Sequence, residues 1–120
     1  MITIEQLKEV KERTESLNRY LDIDGKKMQY EEEQIRTQDP SFWEDAKRAE
    51  AQMKLVKGLE KWIKDYAAVE TLVSELETAF EFFREELVSE EEVDDLYARR
   101  LAAVERLYLK KMLRRKEESM

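Results

Sequence analysis

The chain has 120 residues, a formal net charge of −7, and neither cysteine nor histidine. That length gives one domain with a modest core. Without thiols or imidazoles there is no disulfide framework, no Cys-His or Ser-His-Asp nucleophile, and no Glu-x-x-His ligand set of a di-metal bundle.

More than half of the residues are Ala, Glu, Lys, Leu or Arg, with two glycines and one proline. Such a composition belongs to long helices or coiled coil rather than to sheet. A first helix is expected over 3–21. Thr3 and Gln6 have the spacing of a capping box. Ile4, Leu7, Val10, Leu17 and Leu21, with Thr14 in the gap, form one apolar stripe. In "DIDGKK" Asp22 and Asp24 can cap and Gly25 can bend the chain. A second helix over 24–37 is expected to turn Met28, Ile35 and Tyr30 inward.

Pro40 has no amide hydrogen and pushes Asp39 out of the helical region, so the second helix must stop by Gln38. Ser41 offers the next N-cap, and Glu44 and Asp45 put negative charge in the following first turn. Phe42 and Trp43 are expected to pin the third helix against the first two; partner docking is their other use. Burying a Phe-sized side chain is worth about 1.5–3 kcal/mol.

The third helix is expected over 41–88, with Ala49, Met53, Val56, Leu59, Ile63, Tyr66, Val69, Val73, Leu76, Phe80, Phe83 and Leu87 on its stripe. A second capping box, Ser89 with Glu92, opens a fourth helix over 89–114. Its stripe takes Val93, Leu96 or Tyr97, Leu101, Val104, Leu107 or Tyr108, and Met112. The tail "RRKEESM" is expected to fray. The short connection forces helices three and four to be antiparallel neighbours. The expected fold is all-α: one elongated helical bundle, two short N-terminal helices packed on a long antiparallel, coiled-coil-like hairpin.

Charge is unevenly spread. Residues 75–95 carry ten acids against Arg84, a net of −9, and residues 99–116 carry eight bases against Glu105, a net of +7. The hairpin should bring Lys110, Lys111, Arg114, Arg115 and Lys116 alongside Lys54, Lys57, Lys61 and Lys64. These cations either complement the helix dipole and aid solubility or contact RNA phosphates. Trp62 and Phe82 fall off the stripe and are candidates for a binding surface. Gly25 and Gly58 cannot build a P-loop or a dinucleotide fingerprint. The carboxylates in Glu31–Glu33 and Glu90–Glu92 are consecutive on a helix and point in different directions, so they read as solvated faces. No catalytic, metal or cofactor residue and no small-molecule substrate is expected. No apolar run approaches the roughly 18 residues that span a bilayer, so a soluble cytoplasmic chain is expected.

The stretch "LNRYLDIDGKKMQYEEEQIRTQDPSFWEDAKRAEAQMKLVKGLEKW" resembles the N-terminal helical domain of the bacterial class-I peptide chain release factors of the release factor 2 family. The shared marks are the Leu-Asp-x-Asp-x-Lys-Lys turn at Leu21–Lys27, the Pro-x-x-Trp break at Pro40–Trp43 and the Arg-Ala-x-x that follows at Arg48–Ala51. "SEEEVDDLY" fits the same domain, so the likeness covers essentially the whole chain. It implies a factor that terminates translation at UGA and UAA codons and triggers peptidyl-tRNA hydrolysis. The Ser-Pro-Phe and Gly-Gly-Gln motifs that do this work in the family are not in this sequence. The chain is therefore expected to be a first domain that contributes contacts rather than chemistry. Its implied partners are the ribosome (rRNA and the large subunit's GTPase-associated region), the GTPase release factor 3, and the remaining domains of the same factor. Lys54, Lys57, Lys61, Trp62, Lys64, Phe82, Lys110, Lys111, Arg114 and Arg115 are the candidate contacts. The competing expectation is a free-standing coiled-coil adaptor or prefoldin-like chaperone; no glycine-bounded, alternating run supplies the β-hairpins of a prefoldin.

Overall fold

A computed structural model describes residues 1–119, and Met120 of the tail lies outside the described residues. The described chain is all-α: α1 (Ile4–Leu21), α2 (Ile23–Arg36), a 3-10 turn (Pro40–Glu44), α3 (Ala46–Arg84) and α4 (Glu90–Ser119). At 1.5 Å per residue, α3 is about 58 Å long, close to the longest extent of the molecule, 61 Å. The radius of gyration is 18.8 Å, against about 14 Å for a compact chain of this length. The long helix sets the shape.

Every other element packs on α3. Contacts advance in step along α1 and α4, from Ile2 on Asp94 through Arg13 on Glu105 to Tyr20 on Tyr108, so these two helices run parallel. Both oppose α3. Three helices therefore enclose one core of Leu7, Val10, Leu17, Leu21, Ile23, Tyr66, Val69, Val73, Leu76, Phe80, Val93, Val104 and Leu107. The Tyr66 hydroxyl donates to the Thr14 carbonyl at 3.3 Å, and burial raises the Tyr66 pKa above its ordinary value. Toward the other end of α3, where Ala49, Val56 and Leu59 are buried, α2 and the 3-10 turn also pack on it.

Helix α1 begins as expected, with both halves of the Thr3–Gln6 capping box formed. Ile4 is exposed and Ile2 is buried in its place. The bend after α1 is made by Asp22, not Gly25. Asp22 sits in the left-handed region (φ 51°), caps the end of α1, and accepts the Gly25 amide with its carboxylate to start α2. A Cβ at Gly25 would overlap that carboxylate, so glycine leaves room for the cap. This joint fixes the rotation of α2. With Ile23 fully buried, the covered face runs through Lys26, Tyr30, Glu33 and Gln34. Met28 and Ile35, expected inside, are each 66 % exposed. Glu33 is buried instead, held by the Gln52 amide and by Arg36 at 3.4 Å.

Pro40 stops α2 as expected, but Ser41 does not cap α3. Residues 40–44 form a 3-10 turn, and Asp45 caps α3 by accepting the Lys47 and Arg48 amides. Asp39 caps the turn; the Ser41 amide and hydroxyl hold its carboxyl below the usual carboxylate range. Trp43 is 57 % exposed rather than a core staple. Its indole N–H donates to the Thr37 carbonyl at the end of α2, and its ring meets Phe42 edge-on at 4.9 Å. The pair closes the turn on itself.

Helix α3 ends at Arg84, not Val88. The Glu86 amide bonds the Phe83 carbonyl and the Leu87 amide bonds the Phe82 carbonyl, both at 2.9 Å. Glu86 lies between them at φ 62°. This is a Schellman stop without its usual glycine, and it leaves Leu87 66 % exposed. Ser89 accepts the Glu92 amide at the start of α4. Helix α4 continues to Ser119, where a frayed tail was expected, with an Arg114–Glu118 pair one turn apart on its last turns. Met112, expected on the buried stripe, is exposed because α1 ends about level with Tyr108.

The two glycines predict opposite outcomes. No atom lies within 4 Å of a Cβ at Gly58, so Gly58→Ala should stabilise by up to about 1 kcal/mol in urea unfolding. Gly25→Ala should gain nothing, because losing the Asp22 cap costs about 1 kcal/mol, and in an Asp22→Ala background the same substitution should become stabilising. Glu86→Gly should also stabilise, by about 1 kcal/mol, by removing a left-handed side-chain penalty.

Candidate nucleic-acid interface

The antiparallel hairpin sets the C-terminal half of α4 against the middle of α3. Lys110 Nζ lies 4.9 Å from the centroid of the Trp62 ring and Lys111 Nζ 5.9 Å from it. Lys110 also pairs with Asp65 at 2.8 Å. The half-buried Trp62 is thus an anchor for two ammonium groups rather than an open stacking platform.

A third element brings a cation that sequence reasoning missed. Lys26 of α2 donates to the Leu21 carbonyl at the end of α1. Burial holds its pKa below the ordinary 10.5, and the neighbouring Lys111 lowers it further. The charge of Lys111 on α4 thus acts on Lys26 at the end of α1. The pair Lys26-Lys27 was visible in the sequence only as part of a turn; its nearness to Lys111 depends on how far α4 runs back.

On α3, Lys57, Lys61, Lys64, Glu60 and Asp65 line a shallow surface groove. Lys64 is tied to Glu60, which lies one turn before it, and its pKa is raised by that bond. Lys54, Lys57 and Lys61 are exposed and make no ion pair among the described residues. Arg114 pairs with Glu118 at 3.8 Å, and Arg115 makes no ion pair among the described residues. By helical rise, Arg114 and Arg115 lie about one turn beyond Lys110 toward Lys61 and Lys57. The basic candidates of α3 and α4 therefore overlap in height along the middle of the hairpin, the waist of the molecule.

Phe82 does not belong to it. It is 44 % exposed but about 30 Å along α3 from Trp62, beside the α3–α4 turn. That end is acidic, with Glu85, Glu86, Glu90, Glu91 and Glu92 all exposed. There the Met1 α-amino group pairs with Glu90 at 2.6 Å and Asp94 at 3.0 Å.

The waist offers charge and hydrogen-bond donors. Among the described residues no three His, Cys, Asp or Glu side chains gather as metal ligands, and no helix is long and apolar enough to cross a membrane. No protein-family model and no curated protein matches this chain.

Lys111→Gln should raise the Lys26 pKa toward, but not to, its ordinary value, as followed by NMR titration of the lysine side chains. The folded pKa lies below the unfolded one, so the unfolded chain binds more protons in the window below 10.5. Stability should therefore rise with pH through that window, and the rise should be smaller in Lys111→Gln.

Proposed function

We propose that this chain is a ribosome-docking helical domain, the first domain of a class-I peptide chain release factor directed to UGA and UAA codons. In this reading the waist contacts ribosomal RNA. Codon reading and peptidyl-tRNA hydrolysis belong to other domains of the factor, so this domain performs no chemistry. The working compartment is the cytoplasm. The large subunit's GTPase-associated region and the GTPase release factor 3 are the further partners.

The observation that carries the proposal is the pair of α4 lysines held over Trp62 of α3, level with exposed α3 lysines, in a chain whose net charge is −7. Phosphate is the ligand such a band suits. The resemblance supports the same reading. Two of its three quoted marks fall on the joint at Asp22 and on the turn at Pro40, places where the residue type is set by backbone geometry.

A free-standing adaptor is the second reading. It is favoured by the exposed row Tyr108, Leu109, Met112 and Leu113 on α4.

The chain should compete with an intact class-I release factor for ribosomes. Lys54→Gln, Lys57→Gln and Lys61→Gln combined should weaken binding and flatten its salt dependence by about 0.7–0.9 for each phosphate that is no longer neutralised. An unchanged slope, or no competition at tens of micromolar by the folded chain, would end the proposal.

A further inference from the structure

Helices α1 and α4 leave a groove between them, of about 410 Å³, lined by Arg13, Ser16, Leu17, Tyr20, Val104 and Tyr108. Its floor is apolar, with Leu17 and Val104 each only 2 % exposed. The rings of Tyr20 and Tyr108 form one wall, with centroids 5.2 Å apart. The groove does not stop there. Met112 follows Tyr108 by one turn and Leu113 follows Leu109 by one turn, so two rows extend the apolar surface along α4. Tyr108, Leu109, Met112 and Leu113 are 43 %, 47 %, 41 % and 59 % exposed.

We infer that this groove and its continuation form a docking site for an amphipathic α-helix with acidic flanks. The spacing sets the shape of the occupant: a cleft between parallel helices, continued by rows at helical repeat, suits anchors at i, i+3 or i+4, and i+7. Charge sets its chemistry. Residues 106–116 contain six bases and no acid. Arg19 of α1 and Arg106 and Arg115 of α4 make no ion pair among the described residues. Glu105, beside the groove, is already held by Arg13 at 3.3 Å. A basic occupant would be repelled by those cations.

Nucleic acid has no need of an apolar cleft, and a flat bilayer does not reach a floor recessed between two helices. The site also uses a different flank of α4 from the waist: Val104 and Tyr108 meet α1, whereas Lys110 and Lys111 meet Trp62 of α3. The apolar anchors are therefore distinct from the RNA-contact residues, whereas the cations from Lys110 to Arg115 serve both readings.

The probe is a fluorescent peptide of about 16 residues, with leucine at the anchor spacing and glutamate on both flanks, titrated with the intact chain. Saturable anisotropy is expected, with amide shift changes confined to residues 13–20 and 104–113. Leu109→Ser with Leu113→Ser replaces only exposed side chains, and should weaken binding about tenfold while helicity is kept. Lys57→Gln with Lys61→Gln should leave peptide affinity unchanged, which separates this site from the waist. No binding, equal binding of a lysine-flanked peptide, or indifference to the leucine variants would overturn the inference. So would recruitment to phosphatidylserine vesicles with shifts at the same residues, because the occupant would then be a lipid surface.

Discussion

A 39-residue helix with an apolar stripe along its length cannot bury that stripe alone, and the joint at Asp22 is how this chain covers it. Helix α1 spans about 27 Å and α2 about 21 Å, against about 58 Å for α3. A single straight helix would carry the phase of α1 onward unchanged. The left-handed residue resets that phase at a cost of about 1–2 kcal/mol. The cost is offset by the capping bonds that Asp22 makes on both sides and by Leu21 and Ile23, both fully buried. The same reset decides which way α2 faces, and so turns Lys26 back onto the end of α1, within the influence of Lys111.

The waist is positive in a molecule that is negative overall because the two charges are far apart. The acidic turn lies about 30 Å from Lys110 along α4. At physiological ionic strength charges are screened over about 8 Å, so the acids at the turn do not cancel the cations at Trp62. Local pairs do more. Asp65 and Glu60 each hold one lysine, which leaves Lys54, Lys57 and Lys61 available. A ligand approaching the molecule meets separate surfaces of opposite sign, not an averaged charge of −7.

Much of this was legible in the sequence, for identifiable reasons. Capping at Thr3, the stop at Pro40, the antiparallel hairpin and the buried stripe from Val56 to Phe80 rest on local rules or on long, regular repeats. The phase of α2 was not legible, because Met28 and Ile35 also make a helical pair; only the left-handed backbone of Asp22, an uncommon conformation for a residue with a side chain, chooses the other face. The end of α3 was hidden because the left-handed stop carries Glu86 where glycine is the usual signal. The basic band could be drawn from the hairpin alone, but Lys26 could not be added, nor Phe82 removed, without knowing which elements meet. The groove between α1 and α4 had no signal at all, since it depends on α1 ending beside Tyr108.

Hydrogen exchange of the chain in the presence and absence of purified ribosomes tests the role of the waist most directly. Slowed exchange over 54–64 and 110–115, reversed by raised salt, is the expected result. Unchanged exchange at the waist in a folded chain, or protection confined to the acidic turn around residues 85–95, would contradict it.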